Sequence, residues 1–371
     1  MIDEAVLDDP AALAAHDPQE VLRAVAGAGA QVRAATTYAG EAGLGRLRGD
    51  GRPRALVVVT AGGAAAPADL LRAVVGSACP VPVVGLREGA LPGWVGTLDV
   101  VLAVSASGHN PATVAAASEA ARRGARLVTV GPVTGPLADL VRRGALHVRA
   151  DTEGRPSRWS LWALAVPLLV AADALGLAAV PPEALLVAAD LLDGCAAACR
   201  PSAEAFVNPA KSLALSLDTA LPLLVGDGPA GGAAARRFAV QLAATARQPA
   251  LAGELPDDGP VLAATFSGPY GGGPPDALFA DPETARPQVR LLLLRAGDGA
   301  AEAAAARATV EVAEAAGVRV HELAADGVHP VERLASLVGL TDFASVYLAL
   351  GRGYDPATSP SVVDLKERLP R

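Results

Sequence analysis

The run of residues best suited to chemistry lies at residues 105–110 and reads Ser-Ala-Ser-Gly-His-Asn. The apolar stretch Asp99–Val104 before it predicts a buried strand, and Pro111 after it suits the first turn of a helix. A loop between a strand and a helix leaves backbone N–H groups free, at the positive end of the helix dipole. Two serine hydroxyls add donors. The pattern indicates a phosphate site, although an ordinary capped loop has the same residues.

Alternating strand and helix patterns must position this loop. In the first half of the chain, predicted strands lie at Ala55–Val59, Pro82–Gly85, Asp99–Val104, Arg126–Val130 and Leu146–Val148. A second series lies at Leu221–Val225, Val261–Thr265, Val289–Leu294 and Val318–Glu322. Strands that alternate with helices form parallel sheets with helices on both faces. We therefore expect an α/β protein with two domains, each a three-layer αβα unit around a parallel sheet.

The domain boundaries follow from these two series. Residues 1–50 predict an N-terminal helical segment, residues 51–200 the first sheet domain with the phosphate loop, and residues 201–371 the second sheet domain. Near the C-terminus, Pro330–Leu350 predicts a pair of helices, with Asp342 as the N-cap of the second.

Composition argues against several classes of protein. A formal net charge of −8 makes a nucleic-acid partner unexpected, because phosphate backbones need a basic face. Cys195 and Cys199 have no histidine nearby, which favours reduced thiols over a zinc site. The acidic N-terminus does not resemble a signal peptide. Trp159–Val180 is apolar and long enough to cross a membrane, but Pro167 and Asp173 interrupt it. We expect a buried core helix and a cytoplasmic protein with no membrane partner.

The 105–110 loop resembles the S-x-S-G-N-T phosphate loop of SIS domains, and other features follow the order of the bifunctional phosphoglucose/phosphomannose isomerases. Gly62 and Gly63 stand where that family has a Gly-Gly-Ser loop, with Ala64 in place of the serine. Arg158 lies in an Arg-Pro-Ser-Arg run before a long helix, similar to the family's Pro-Arg pair.

The second half of the chain continues the resemblance. Asn208–Ala214 is similar to the family's N-x-A-K-x-L-A segment and includes Lys211. The ending resembles D-[YF]-x-S-x-Y-L-A, then D-P, then L-K; its last lysine is Lys366. These are the chain's two lysines, and both fall on positions of the family pattern.

The resemblance implies an aldose–ketose isomerase that acts on glucose 6-phosphate or mannose 6-phosphate through a cis-enediol. Arg158 and Lys366 would be the catalytic cations, and Ser359 would contact the sugar, with Thr358 as a rival. The substrate-binding residues implied are Gly62, Gly63, Ser105, Ser107, Gly108, His109 and Asn110. The resemblance also implies a homodimer. No metal or other cofactor is expected, because proton transfer through an enediol requires none.

The chain departs from the family where a base is needed. Ala244 stands at the position of the family's glutamate, and the family's histidine has no counterpart near residues 256–258. Glu254 and Asp257 are weak candidates for a replacement base, although solvated loop carboxylates are expected more often than catalytic ones. The loss of a general base costs about two to four orders of magnitude in rate. A catalytically impaired sugar-phosphate sensor or regulatory protein therefore remains the alternative function.

Overall fold

The structure is a computed structural model that describes residues 2–61, 65–87, 89–152, 155, 157–272, 287–297 and 299–368, with the backbone alone for Lys366. Residues 27–190 form one compact unit, called the first unit below. Residues 1–26 and 191–371 form the other, called the second unit. This division separates residues 1–26 from 27–50, whereas the predicted boundaries 1–50, 51–200 and 201–371 kept them together.

Within the described residues, the helices in chain order are α1 (Glu4–Asp8), α2 (Pro10–His16), α3 (Val21–Ala26), α4 (Ala28–Glu41), α5 (Ala66–Val75), α6 (Pro111–Arg122), α7 (Leu161–Ala174), α8 (Pro182–Ala198), α9 (Pro209–Leu217), α10 (Gly228–Ala246), α11 (Gly259–Ala263), α12 (Ala300–Ala315), α13 (Pro330–Gly351) and α14 (Pro360–Arg368). The strands are β1 (Leu56–Thr60), β2 (Val83–Arg87), β3 (Val100–Val104), β4 (Arg126–Gly131), β5 (Leu146–Arg149), β6 (Ala220–Asp227), β7 (Leu251–Leu255), β8 (Gln288–Arg295) and β9 (Arg319–Ala324). Short 3₁₀ turns include Leu44–Gly49, Ala138–Arg143, Ser157–Trp159 and Ala264–Ser267.

A parallel sheet of five strands, in the order β2-β1-β3-β4-β5, forms the centre of the first unit. Its central strands are valine-rich and buried on both sides, as expected where helices cover both faces. Val57, Val59, Val101 and Ala103 pack against Ala116 of α6 on one face. Helix α7 contacts α4, α5 and β4, and so belongs to the other face.

The second unit repeats this architecture with four parallel strands in the order β7-β6-β8-β9. Leu223, Val225, Leu291 and Leu293 pack against Ala306 of α12 on one face. Helices α9, α10 and α13 pack together, with α10 also contacting β6. The order β7-β6-β8-β9 corresponds to β2-β1-β3-β4, which confirms the expected duplication of architecture.

Two sequence predictions for the second unit are wrong. The segment Val261–Thr265, predicted as a strand, is helical in α11 and the following 3₁₀ turn, and the strand is β7, ten residues earlier. Pro260 at the start of α11 suits a first helical turn. The predicted pair of helices at Pro330–Leu350 is the single helix α13. Asp342 is inside that helix and does not cap one.

Two helices, α7 and α13, are apolar enough to be compared with membrane-spanning helices. Helix α7 has 14 residues, nearly all of them buried, which is fewer than the roughly 20 that a membrane helix needs. The expected buried core helix is confirmed. Helix α13 is long and apolar enough to cross a membrane, but 89% of its apolar window is buried inside the fold.

An ion pair between Arg237 and Asp342 joins α10 to α13 inside the second unit. The Nε atom of Arg237 donates to Oδ1 of Asp342 at 3.0 Å, and Nη2 donates to Oδ2 at 2.5 Å. Both side chains are at least 90% buried. Loss of one partner would remove the ion pair that compensates the other buried charge.

We predict that Asp342→Ala lowers the free energy of unfolding by about 3–5 kcal/mol, the usual cost of breaking a buried ion pair. Asp326→Ala, at an exposed aspartate of the same unit, is the control and should change it by less than about 0.5 kcal/mol. Urea denaturation followed by circular dichroism measures both. Equal effects of the two substitutions would contradict the prediction.

Candidate functional site

The loop Ser105–Asn110, called the α6 loop below, follows β3 at the carboxyl edge of the first sheet. Helix α6 begins at Pro111, and Asn110 is its N-cap. The Oδ1 atom of Asn110 accepts hydrogen bonds from the backbone N of Thr113 at 2.9 Å and from its hydroxyl at 3.2 Å. Asn110 therefore orders the start of the helix with the oxygen of its side chain.

The serines and the glycine shape the α6 loop from within. Ser105 is buried, and its Oγ accepts from the backbone N of Gly108 at 3.0 Å. Gly108 has a φ of +71°, a conformation that favours glycine. Ser107 is exposed, and its Oγ accepts from the backbone N of His109 at 3.3 Å. The loop thus uses part of its donor capacity to hold its own shape.

Four backbone amides of this region remain free. Within the part of the chain that the structure describes, the N–H groups of Ala106, Ser107, Asn110 and Ala112 donate to no protein acceptor. Free amides at the N-terminus of a 12-residue helix form an environment that attracts an anion. An anion that accepts from these amides would break no hydrogen bond within the described part of the protein.

His109 is exposed, and its ring already has a partner. Its Nδ1 lies 2.7 Å from the carbonyl oxygen of Ser107, and because a carbonyl only accepts, this nitrogen carries the hydrogen. The ring lies against Gly135, where a Cβ would come within 2.9 Å of it. With Nδ1 protonated, Nε2 can donate to a phosphate only when the imidazole is positively charged.

Residues that the sequence reasoning missed support the loop. Gly131, at the end of β4, approaches so closely that a Cβ there would lie 2.7 Å from the carbonyl oxygen of Ser105. The hydroxyl of Thr152 donates to the carbonyl oxygen of Ala106 at 2.6 Å. Thr152 follows β5 at the same edge of the sheet, where ligands of open α/β sheets bind. Its position after a predicted strand could have indicated this role from the sequence.

Three other residues of the first unit were predicted to bind or act on a substrate. Gly62 and Gly63 fall outside the described residues. Arg158 lies in the 3₁₀ turn before α7, with its guanidinium carbon 5.6 Å from the centre of the Trp159 ring. Arg158 is therefore placed against the indole ring of the next residue.

In the second unit, the candidate bases lie at β7 and in the turn that follows it. The carboxylate of Glu254 accepts from Arg236 at 3.0 Å, and its backbone N donates to Asp258 at 2.8 Å. Asp257 is exposed in the turn after β7. Ala244, at the position of the family's glutamate, lies near the end of α10. Glu254 is therefore paired with Arg236, and Asp257 faces solvent.

The C-terminal candidates lie at the last helix. Ser359 precedes α14, and its carbonyl oxygen accepts from the backbone N of Val362 and Val363. Thr358 donates its hydroxyl to Asp355 at 3.0 Å. Lys366 lies in α14, and its side chain is outside the description.

Lys211, the other lysine, has a structural role. Its ammonium group is buried and donates to the carbonyl oxygens of Pro201 and Ala203 at 2.8 and 2.7 Å. It also lies 5.4 Å from the centre of the Tyr347 ring. A compact ammonium with three donors suits two converging carbonyls and an aromatic face, which explains why a lysine stands there.

The corresponding position in the second unit is filled by the protein itself. Where β8 ends, the backbone amides of Ala296 and Gly297 both donate to Oδ1 of Asp227, the latter at 2.9 Å. Arg295 donates to Oδ2 of the same carboxylate at 2.8 Å. A carboxylate of the protein thus accepts from the amides that follow β8.

The amino-acid sequence is similar to those of known sugar-phosphate isomerases. Residues 206–369 match the family described as the bacterial phospho-glucose isomerase C-terminal SIS domain. A relative, the bifunctional phosphoglucose/phosphomannose isomerase of Caldicellulosiruptor bescii, is 27% identical over 195 residues. The predicted resemblance to this family is confirmed. The match covers 53% of this chain and 57% of that relative, so it spans little more than half of either.

Solved structures show the same fold. A hypothetical protein of Thermus thermophilus matches with a TM-score of 0.65 at 19% identity, over 99% of this chain and 98% of that one. The tagatose-6-phosphate ketose/aldose isomerase of Escherichia coli matches with a TM-score of 0.64 at 13% identity, over 92% of this chain and 95% of that one. The expected α/β fold of two SIS-type domains with helix-flanked parallel sheets is confirmed.

His147 holds the strand and loop beneath the α6 loop. Its Nε2 donates to the carbonyl oxygen of Pro132 at 3.0 Å, and its Nδ1 accepts from the hydroxyl of Thr129 at 2.8 Å. Pro132 in turn lies against Gly108. Burial lowers the pKa of His147 below its ordinary value, although the hydrogen bond to Pro132 opposes this effect.

We predict that acidification destabilises the protein partly through His147. Below a pH of about 6.5, His147 binds a proton in the unfolded chain but not in the folded protein. The free energy of unfolding therefore decreases as the pH is lowered. The thermal denaturation midpoint should therefore drop more between about pH 7.5 and pH 5.5 for the wild type than for His147→Gln. Other titrating groups are common to both proteins and cancel in the difference. Parallel pH profiles would contradict the prediction.

Proposed function

We propose that this protein binds a hexose 6-phosphate, glucose 6-phosphate or mannose 6-phosphate, at the α6 loop of the first unit. The observation that supports the proposal is the set of free amides of Ala106, Ser107, Asn110 and Ala112 at the start of α6. Backbone N–H groups at a helix N-terminus bind a phosphate through hydrogen bonds and the helix dipole. From the family resemblance we also propose a homodimer in the cytoplasm.

Isomerisation is the activity that we propose first, because the relative from Caldicellulosiruptor bescii is named a bifunctional phosphoglucose/phosphomannose isomerase. In such a reaction the α6 loop would fix the phosphate, and so set the position of C1 and C2 of the opened sugar. Arg158 and Lys366 would stabilise negative charge on the enediol oxygens. A carboxylate, Glu254 or Asp257, would have to move the proton between the two carbons.

A non-catalytic sugar-phosphate sensor or regulatory protein is the second candidate. The contacts of the carboxylates favour it, since Glu254 is tied to Arg236 and Asp257 is exposed in a turn. Ala244 cannot replace the family's glutamate as a base. Phosphate binding without a base would retain recognition and lose turnover.

A coupled assay for fructose 6-phosphate separates the two candidates. An isomerase converts glucose 6-phosphate or mannose 6-phosphate, and Glu254→Gln or Asp257→Asn then reduces kcat by about two to four orders of magnitude. A sensor gives saturable binding of the sugar phosphate by calorimetry with no conversion by the wild type.

The binding proposal makes its own prediction. Ser107→Asp places a carboxylate in the α6 loop and should weaken fructose 6-phosphate binding by at least about tenfold, roughly 1.4 kcal/mol, through repulsion of the phosphate. Ser77→Asp is the matched control, because Ser77 is an exposed serine in the turn after α5, before β2 begins. Calorimetric titration measures both variants. Unchanged affinity in Ser107→Asp would exclude the α6 loop as the phosphate site.

A further inference from the structure

A small cavity in the first unit is lined by residues of α4, of α7 and of the segment after β5. Its volume is about 210 Å³, below the roughly 300 Å³ at which pockets for drug-sized ligands begin, so it suits a smaller molecule. The polar groups that line it belong to Gln31, Tyr38, Asp151 and Arg155. The remaining lining residues are glycine and alanine, which leave the space open.

One guanidinium donor at this cavity has no protein acceptor. Arg155 donates from Nη2 to the carbonyl oxygen of Asp151 at 2.5 Å. Its Nε is buried and, among the residues that the structure describes, has no hydrogen-bond partner. A buried N–H group without an acceptor is uncommon and costs free energy unless another molecule satisfies it. Arg155 therefore offers a donor that a ligand oxygen can use.

Two other lining residues, Tyr38 and Asp151, belong to one hydrogen-bonded group. The hydroxyl of Tyr38 donates to Asp151 at 2.7 Å, and Arg149 donates to both Asp151 and Tyr38, at 3.1 and 2.8 Å. Burial acts to raise the pKa of Asp151, but the hydrogen bonds from Tyr38 and Arg149 outweigh it and lower that pKa. The carboxylate is ionised at neutral pH and can accept from hydroxyl groups.

The cavity and the α6 loop are physically linked. Thr152, next in the chain after Asp151, donates its hydroxyl to the carbonyl oxygen of Ala106 at 2.6 Å. On the other side, Gln31 donates to the carbonyl oxygen of Trp159 at 2.8 Å and accepts from the backbone N of Ala163, which fixes α4 against α7. One wall of the cavity is therefore joined through Thr152 to the loop that carries the free amides.

We propose that this cavity receives the hydroxyl-bearing carbon chain of a sugar whose phosphate is held by the α6 loop. The inference rests on the proposed function, because it needs a phosphate at that loop. Arg155 donates to a sugar oxygen, and the carboxylate of Asp151 accepts from a sugar hydroxyl. The cavity thus gives the site its preference for a sugar phosphate over inorganic phosphate.

Titration calorimetry with fructose 6-phosphate and with inorganic phosphate tests the proposal. The variant Ala34→Leu fills the cavity from α4, and Arg155→Met removes the free donor. Each should lower the preference for fructose 6-phosphate by about tenfold, the equivalent of one to two hydrogen bonds, and leave the affinity for inorganic phosphate within about twofold. Thr37→Leu, at an exposed position of the same helix, is the control and should keep the preference of the wild type.

The outcomes separate this inference from the proposed function. A wild type that binds neither ligand overturns both. A wild type that prefers fructose 6-phosphate, with the same preference in Ala34→Leu and Arg155→Met, overturns the cavity alone and leaves the α6 loop as the phosphate site. Loss of preference in both variants with the control unchanged supports the cavity, and circular dichroism confirms that each variant is folded.

Discussion

The phosphate site proposed for the first unit depends on the backbone N–H groups at the start of α6 that have no acceptor among the described residues. Nearly all buried or half-buried amides in proteins find a partner, so a group of free ones needs water or an anion. They are held open by contacts that belong to the loop itself. Asn110 caps the helix, and Ser105 accepts from Gly108. Gly131 allows the close approach of β4, which no larger residue would permit.

The two units share one architecture but differ in the residue at the end of two equivalent strands, β6 and β1. In β6 the residues Leu223 and Val225 face the core beneath α12, and the next residue on that face is Asp227. In β1 the residues Val57 and Val59 face the core beneath α6, and the next residue on that face is Ala61. The carboxylate of Asp227 accepts from the amides of Ala296 and Gly297 after β8, whereas the methyl group of Ala61 offers no acceptor. The two sheets therefore differ at this strand end, where the second unit supplies a carboxylate and the first unit a methyl group.

Much of the fold could be predicted from local patterns, because valine-rich central strands and alanine-rich helices carry strong signals. The prediction failed where tertiary contacts decide. Strand β7 lies at the edge of its sheet and contains Gly253 and Glu254, so it lacks an apolar run, whereas Val261–Thr265 has one and is helical. Short apolar runs do not distinguish a strand from a buried helix. Asp342 resembled a helix cap, and its partner Arg237 is 105 residues away in the chain.

The candidate site was predictable only in part. The α6 loop carries a motif, and its position after a strand is a local property. The cavity brings together side chains of α4 and of the segment after β5, at Tyr38, Asp151 and Arg155. No spacing in the sequence indicates that these residues meet. The missing base is visible in the sequence as Ala244. Whether another carboxylate replaces it depends on contacts such as that between Glu254 and Arg236, which only the structure reveals.

A crystal structure of the protein with bound fructose 6-phosphate tests the central claim most directly. The account predicts that the phosphate oxygens lie within hydrogen-bonding distance of the backbone N atoms of Ser107 and Asn110, at the start of α6. A sugar phosphate bound elsewhere, with water alone on those two amides, would contradict it.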